Sequence, residues 1–258
     1  MGILDRLRHK TGSKRLNWHC LEPAPLIDAE RGYCLFFSNK AGCTTLAKWF
    51  FRQTGHLEAA LYYHRWKHHY RIQVYCQIDG YLQSLKRLAA GEFHVAKLVR
   101  SPYSRAVSSY LHAVKTVYID QDMSRFLGRA INPVSRFSFE EFVDYLESTG
   151  VTHSYLHHRR QCIEAEISGV LGIHRLLKLE NLQKDLATME RDFSLQQTDL
   201  RRLSESPHHN KHSERSHQYC GNRVYSRVDA QFPPFADFYD RVRREKIRDL
   251  YQDDFRLY

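Results

Sequence analysis

Two short apolar runs, each followed by a turn and a helix-forming segment, constrain the fold of this 258-residue chain more than any other feature. Residues 33–38 have the sequence Tyr-Cys-Leu-Phe-Phe-Ser and precede a glycine-containing turn and a predicted helix over 44–53. Residues 93–99 form the second run, and Arg-Ser-Pro separates it from a predicted helix over 103–117. Apolar runs of this kind, alternating with helices, are typical of buried strands in a parallel sheet. We therefore predict an α/β fold with a mainly parallel central sheet covered by helices on both faces.

The rest of the chain supports a single domain. A third strand is predicted over 173–179, and a Ser-Phe-Glu-Glu capping box at Ser138 predicts the start of a helix through residue 146. The remaining predicted segments are helices over 57–75, 79–90, 181–193 and 235–251 and a polar loop over 204–223. The length fits one α/β domain, and we assign residues 33–258 to it and residues 1–32 to a basic N-terminal segment.

The charge of the chain points to an anionic partner. Its formal net charge is +10, and such a surface attracts nucleotides, acidic sugars, nucleic acid or anionic lipid. Residues 1–16 could form a basic amphipathic helix that touches an anionic membrane, although a solvated basic start is the simpler interpretation. No apolar stretch is long enough to cross a bilayer, and no signal peptide is evident. We expect a cytoplasmic protein with reduced thiols, in peripheral contact with the inner membrane at most.

A predicted anion-binding loop follows the first strand. The glycine would let the backbone approach a ligand, the helix that begins here offers free N–H groups, and the lysine adds a positive charge. The candidate phosphate- or sulfate-binding residues are Lys40, Ala41, Gly42, Cys43, Thr44 and Thr45. This loop is not a Walker A loop, because it lacks the first glycine and its lysine precedes the glycine. The alternative is an ordinary strand–helix turn capped by threonine.

A second predicted anion site follows the second strand. Arg100 stands at the carboxyl end of that strand, where open α/β sheets bind ligands. Arg105 and Ser108 are one turn apart on one face of the next helix, and Arg100 and Ser108 could converge on one phosphate. The alternative is a basic surface helix. Two anion loops at consecutive strand ends favour the binding site.

These motifs resemble those of the sulfotransferases that use 3′-phosphoadenosine 5′-phosphosulfate (PAPS), and most closely the branch that acts on chondroitin and related glycans. The resemblance covers residues 33–258 and depends on several motifs in the same order. The matching segments are Asn39-Lys40-Ala41-Gly42-Cys43-Thr44, Arg100 with Pro102, Arg105, Ser108 and Tyr110, the His-x-x-x-Gln segment 157–161, Lys178-Leu179-Glu180-Asn181-Leu182, Pro207 to Ser213 and the closing residues 250–258. Asn39 stands where the family has proline, and Ser101 where it has aspartate.

The resemblance implies a three-layer, P-loop-like fold and a function. PAPS would donate a sulfuryl group to a hydroxyl of a carbohydrate or glycan acceptor. The basic surface suggests an acidic acceptor. Lys40 would stabilise charge on the leaving phosphate, and Arg100 and Ser108 would bind the 3′-phosphate. No metal ion is expected, because a sulfuryl group carries less charge than a phosphoryl group. No nucleic-acid partner is expected either.

The general base is the least constrained part of the prediction. A histidine would suit, and the sequence offers His64, His68, His69, His157 and His158. We favour His64, which lies in the basic and aromatic stretch 62–71. In that stretch Trp66, Tyr62 and Tyr63 could stack on sugar rings while Arg65, Lys67 and Arg71 bind acidic groups. An amphipathic helix with its aromatic residues turned inward is an equally good interpretation.

Two other functions remain open at this point. A P-loop kinase would share the strand–loop–helix unit, but it needs a carboxylate for Mg²⁺ and a Gly-Lys-Ser/Thr loop. A module that binds nucleic acid or another polyanion without catalysis would explain the net charge, but it would not need the ordered motifs.

Overall fold

A four-stranded sheet forms the centre of the protein in a computed structural model that describes residues 21–204, 211–212, 218–229 and 231–258. The strands are β1 (Leu26–Asp28), β2 (Tyr33–Phe37), β3 (His94–Val99) and β4 (Arg175–Lys178), in that order across the sheet. β2, β3 and β4 run parallel, whereas β1 pairs with β2 in the antiparallel direction. The prediction of a mainly parallel sheet within an α/β fold is therefore confirmed.

Helices flank this sheet. They are α1 (Cys43–Gln53), α2 (Leu57–Tyr63), α3 (Lys67–Gln73), α4 (Tyr81–Ala89), α5 (Pro102–Lys115), α6 (Asp120–Leu127), α7 (Phe139–Thr149), α8 (Glu164–Ile167), α9 (Leu182–Asp192), α10 (Arg201–Ser204), α11 (Arg241–Leu250) and α12 (Gln252–Leu257). Short 3₁₀ turns cover Tyr75–Gln77, Leu179–Asn181 and Phe235–Phe238, and two short strands, β5 (Lys211–His212) and β6 (Gln231–Phe232), pair with each other.

Buried apolar residues form two clusters. The first contains the strands of the central sheet together with α1, α4 and α9, and every residue of β2 is buried in it. The second lies among α5, α6, α7 and α11, with Tyr110, Phe142 and Phe238 fully buried. Burial of apolar surface stabilises the fold by roughly 25 cal/mol per Å². Because the clusters are stabilised in this way, they hold β2 and β3, and therefore the ends of these strands, in place.

The structure corrects two helix predictions. The predicted helix over 57–75 is interrupted at residues 64–66, where His64 is extended (φ −162°, ψ 144°). The Lys67 ammonium replaces the missing helical bonds by donating to the carbonyls of Ala60, Leu61 and His64 at 3.0, 3.1 and 2.6 Å. A cation is favourable at a helix C-terminus, so α2 ends there without glycine or proline. Lys67 is thus buried in a structural role and is not available for the acidic groups that the sequence suggested.

The predicted helix over 235–251 is a 3₁₀ turn followed by α11. Asp240 caps α11 by accepting a hydrogen bond from the Arg243 backbone N–H at 2.7 Å. The capping box at Ser138 is confirmed: its side chain accepts from the Glu141 N–H, and the Glu141 carboxylate accepts from the Ser138 N–H.

Some predictions lie wholly or partly outside the described residues. The basic segment 1–16, with its possible membrane contact, is one of them, as is most of the Pro207–Ser213 motif.

Residues 26–28, which the sequence analysis assigned to the N-terminal segment, form the edge strand of the central sheet. Within the described ranges, the helices are too short or too polar to span a membrane.

Candidate active site

The carboxyl ends of β2 and β3 open onto a cleft of about 1460 Å³. The loop after β2 forms its floor together with the start of α1, and Arg100, directly after β3, stands beside that loop. The cleft is lined by Pro23, Asn39, Lys40, Gly42, Cys43, Thr44, Thr45, His64, Arg65, Trp66, His68, Arg71, Ile72, Arg100, Ser108, His112, Tyr155, Leu156, His157, Leu179, Leu182, Gln183, Asp199, Leu200, Arg201 and Phe235. The sequence-predicted site residues are all among them except Ala41, a residue of the same loop that is fully buried.

The first loop has the backbone shape that its glycine permits. Gly42 has a φ of +88°, and a Cβ atom at this position would lie 2.6 Å from Leu179 Cδ1. Lys40 is also left-handed, with a φ of 66°, which is uncommon for a residue with a side chain. In α1, which begins at Cys43, no side chain caps the first turn and no acidic residue lies in it. Its first N–H groups and the positive end of its dipole can therefore meet an anion.

Arg100 connects the two predicted anion loops. Its Nη1 donates a 3.0 Å hydrogen bond to the Lys40 carbonyl, and its Nε donates to Ser104 Oγ at 2.9 Å. The guanidinium lies over the Phe235 ring, 4.9 Å from the centroid. Burial lowers the pKa of Arg100 to about 10, so it stays charged near neutral pH. Arg100 and Ser108 both line the cleft, and the guanidinium has N–H groups left over with which to bind an anion.

The backbone of Arg100 is held by Gln161. The Arg100 N–H donates to Gln161 Oε1 and the Gln161 amide donates to the Arg100 carbonyl, both at 2.9 Å. Gln161 is 2% exposed, and its own N–H donates to the Asp254 carboxylate at 2.8 Å. The sequence analysis noticed Gln161 in the His-x-x-x-Gln segment and Asp254 near the end of the chain but assigned neither a role. The segments containing them are brought together only by the fold.

Arg105 does not lie in the cleft, contrary to the common face with Ser108 that helical spacing suggested. It is 1% exposed, and it donates from Nε to the Asn39 carbonyl at 3.0 Å and from Nη2 to the Arg159 carbonyl at 2.5 Å. Its role is to join the first anion loop to the segment that contains the later histidines.

Lys40 lies in a strongly positive environment. Burial above all, together with the charges of Arg100 and Arg105, lowers its pKa to about 8, while Cys43 acts in the opposite direction. A lysine with this pKa gains most when an anion enters the cleft, because the negative charge stabilises its protonated form.

The candidate histidines separate into three groups. His64, His68 and His157 line the cleft, whereas His69 does not line it and packs against His64 with tilted rings, 4.3 Å between the centroids. His158 is 2% exposed, and burial lowers its pKa to about 4. His68 is buried with its Nε2 3.2 Å from Cys43 Sγ, and burial lowers its pKa to about 3.

The walls of the cleft contain aromatic and basic side chains. Trp66 and Tyr155 are 39% and 48% exposed and line it, whereas Tyr62 and Tyr63 point to the outside. The interpretation with all aromatic residues turned inward is therefore wrong, because Tyr62 is 96% exposed. Arg71, which the sequence suggested for acidic groups, donates to the Ala24 carbonyl at 2.6 Å.

Comparison with known proteins agrees with this geometry. The sequence model of the sulfotransferase family matches residues 33–258, which is most of the chain.

The chain belongs to the sulfotransferase family.

Searches of curated proteins and of solved structures found no match to this sulfotransferase. The family assignment establishes transfer of a sulfuryl group to an acceptor hydroxyl as its type of reaction. Among its described residues, no group of three or more His, Cys, Asp or Glu side chains could hold a metal ion.

Proposed function

We propose that this sulfotransferase takes its sulfuryl group from PAPS and delivers it to a hydroxyl of a carbohydrate or glycan. The observation that carries the proposal is the 3.0 Å hydrogen bond from Arg100 Nη1 to the Lys40 carbonyl, which puts two anion-binding loops side by side. PAPS has two anionic ends, a 5′-phosphosulfate and a 3′-phosphate, on opposite sides of one ribose. A nucleotide with a single phosphate chain would need only one of the two loops.

Each loop receives one end of the nucleotide. The 5′-phosphosulfate would meet Lys40 and the open N–H groups at the start of α1, with the Thr44 and Thr45 hydroxyls beside them. Arg100 and Ser108 would bind the 3′-phosphate. Gly42 and Cys43 would contribute through the backbone, and Ala41 through the loop shape, since its N–H already donates to the Ser38 carbonyl at 3.3 Å.

The chemistry needs charge stabilisation at the leaving group and alignment of the acceptor. The acceptor oxygen attacks sulfur, the bond from sulfur to the 5′-phosphate oxygen breaks, and adenosine 3′,5′-bisphosphate leaves. The Lys40 ammonium would stabilise the charge that develops on that phosphate. Removal of a comparable donor in other enzymes costs on the order of 10²–10³-fold in rate.

The walls of the cleft support a glycan acceptor. Trp66 and Tyr155 are partly exposed aromatic side chains against which a sugar could pack, and Arg65 adds positive charge. The described carboxylate in the lining is Asp199, and it pairs with Arg201 at 3.1 Å. The excess of basic side chains favours an acidic sugar as the acceptor.

The two alternative functions fit this cleft less well. A kinase would need carboxylates for Mg²⁺, and the one described carboxylate in the lining, Asp199, is engaged by Arg201. A nucleic-acid-binding module needs only a basic face. It does not require a cleft with separate sites for two phosphates. The strand–loop–helix unit at the cleft also supports the three-layer, P-loop-like fold that the resemblance implies.

The test measures transfer of ³⁵S from labelled PAPS to a panel of neutral and acidic glycans. We expect labelled product with at least one glycan, and a larger thermal stabilisation by adenosine 3′,5′-bisphosphate than by ATP. Lys40→Ala should lower turnover on the order of 10²-fold or more. Lys86→Ala, an exposed lysine on α4 away from the cleft, is the matched control. Stabilisation by ATP alone, together with phosphoryl transfer from ATP, would refute the proposal in favour of a kinase.

A further inference from the structure

The hydrogen bonds of the cleft histidines restrict which of them can accept a proton. A neutral imidazole has one ring nitrogen with a free lone pair, and a histidine can act as a base only through that nitrogen. Of the histidines that the structure describes, four line the cleft, namely His64, His68, His112 and His157. For His64, His68 and His157, the contacts of the ring show how the lone pair is used.

The lone pair of His64 is already engaged. The Trp66 backbone N–H donates to His64 Nδ1 at 2.9 Å, which requires an unprotonated Nδ1. Neutral His64 therefore carries its proton on Nε2, and that nitrogen can donate a hydrogen bond but cannot accept one. His64 thus suits a role as a donor to the acceptor or its acidic groups, more than the role of base that its sequence position suggested.

Neither ring nitrogen of His68 is open to a ligand. Its Nε2 is engaged with Cys43 Sγ at 3.2 Å, and its Nδ1 is buried without a hydrogen-bond partner. A ligand in the cleft cannot reach that buried nitrogen without a rearrangement of the wall.

We propose that His157 is the general base that takes the proton of the acceptor hydroxyl. In the described part of the chain neither of its ring nitrogens makes a hydrogen bond, and its Nδ1 is buried, which leaves Nε2 for a ligand in the cleft. With the proton on Nδ1, the Nε2 lone pair is available to the hydroxyl. The His112 ring packs against it at 4.2 Å between centroids, tilted by 43°, and limits rotation of the imidazole.

The surroundings of His157 favour its neutral form. Burial, the neighbouring His112 and the Lys40 charge, in that order, lower the pKa of His157 to about 2. His157 is therefore neutral before substrates bind, and it lines the same cleft as Lys40. The negative charge of the bound nucleotide would raise this pKa and so help His157 to retain the proton that it takes.

The segment that carries His157 is held firmly on both sides. Tyr251 donates from its hydroxyl to the His158 carbonyl at 2.6 Å, and Arg105 donates to the Arg159 carbonyl at 2.5 Å. The N–H groups of Gln161 and Cys162 both donate to the Asp254 carboxylate at 2.8 Å. A base needs a supporting shell of this kind to keep hydrogen-bond distance to the acceptor.

The proposed step completes the reaction described above and rests on the proposed function. The acceptor oxygen forms its bond to sulfur while its proton passes to His157 Nε2, and the electrons of the breaking sulfur–oxygen bond leave with the 5′-phosphate. Nothing is oxidised or reduced, and the proton later passes from His157 to water.

The test compares His157→Ala and His157→Gln with the wild-type protein, using PAPS and a glycan that the wild type sulfates. We expect turnover to fall on the order of 10²–10⁴-fold for both variants. The affinity for adenosine 3′,5′-bisphosphate should stay within about threefold of the wild-type value, since the nucleotide-binding loops are intact. His153→Ala is the matched control, because His153 is an exposed histidine in the same segment and does not line the cleft.

Chemical rescue separates a base from a positioning residue. Added imidazoles should restore turnover of His157→Ala, and the restored rate should rise with the pKa of the added base. His64→Gln should retain more activity than His64→Ala, because an amide N–H can still donate.

Three outcomes would overturn the proposal. The first is turnover by His157→Ala close to the wild-type value, and the second is a loss without rescue that accompanies a loss of nucleotide binding. The third is restoration of turnover by added imidazoles in a His64→Ala or His112→Ala variant but not in His157→Ala. Failure of the wild-type protein to transfer label from PAPS would refute the proposed function as well. If the wild-type protein transfers label and only the His157 results differ from those expected, the proposed base alone is refuted.

Discussion

The lowered pKa of Lys40 predicts that nucleotide binding takes up a proton. In the free cleft this pKa is about 8, so at pH 8 half of the molecules carry a neutral amine. The charge of a bound phosphate favours the protonated amine, and we expect the pKa in the complex to return toward the ordinary value of 10.5. Binding therefore captures a proton, and the affinity falls as the pH rises through the free pKa toward the pKa of the complex.

The expected uptake follows from the two pKa values. Binding of adenosine 3′,5′-bisphosphate should capture about 0.1 proton at pH 7, about 0.5 at pH 8 and about 0.9 at pH 9. The dissociation constant should rise about tenfold between pH 7 and pH 9. The phosphates contribute little in this range, since their second pKa is about 6. Cys43 and Arg100 also contribute little to the uptake between pH 7 and pH 9. Burial raises the pKa of the Cys43 thiol, and the Arg100 pKa of about 10 lies above this pH range.

Calorimetry in buffers of different ionisation enthalpy measures this uptake directly. The matched control is Lys40→Arg, because a guanidinium stays protonated over the whole range. That variant should show almost no uptake and a flat dependence of affinity on pH. Equal uptake by wild type and Lys40→Arg, or none by the wild type at pH 8, would show that Lys40 does not face the bound phosphates.

Three substitutions test other parts of the cleft. Arg100→Ala should weaken adenosine 3′,5′-bisphosphate by about 1.5–3 kcal/mol while hardly changing binding of adenosine 5′-phosphate, and equal losses in calorimetry would contradict a role at the 3′-phosphate. Gly42→Ala should cost at least about 1–2 kcal/mol of stability, because of its +88° φ and the 2.6 Å approach of Leu179, and an unchanged melting temperature would refute this. Gln161→Leu removes two hydrogen bonds to the Arg100 backbone, so stability should fall by about 2 kcal/mol and nucleotide affinity should fall with it; wild-type affinity would argue against this positioning role.

The elements around the cleft were the ones most visible in the sequence. β2 and β3 are buried on both faces, so they appear as continuous apolar runs, and their loops carry the lysine and arginine at the ends of those runs. β1 was missed because it has only three residues and pairs at the sheet edge, so it shows no periodic pattern.

The contacts that join distant segments were not predictable. The break between α2 and α3 depends on the Lys67 ammonium reaching back to three carbonyls, and no glycine or proline marks it. Helical spacing placed Arg105 near Ser108, but its orientation depends on the Asn39 and Arg159 carbonyls, which come from other parts of the chain. A single sequence shows which residues can bind an anion, but not which of them the fold uses internally.

The double contact of Arg105 has a consequence for local unfolding. Because one guanidinium holds the Asn39 and Arg159 carbonyls, the loop after β2 cannot open fully without releasing the segment around residue 159. The two segments should therefore exchange their amide hydrogens as one cooperative unit. A nucleotide at 100 times its dissociation constant stabilises the closed form by about 2.7 kcal/mol. Amides near Arg160 and Gln161 should then exchange up to about 100-fold more slowly, although no ligand contacts them.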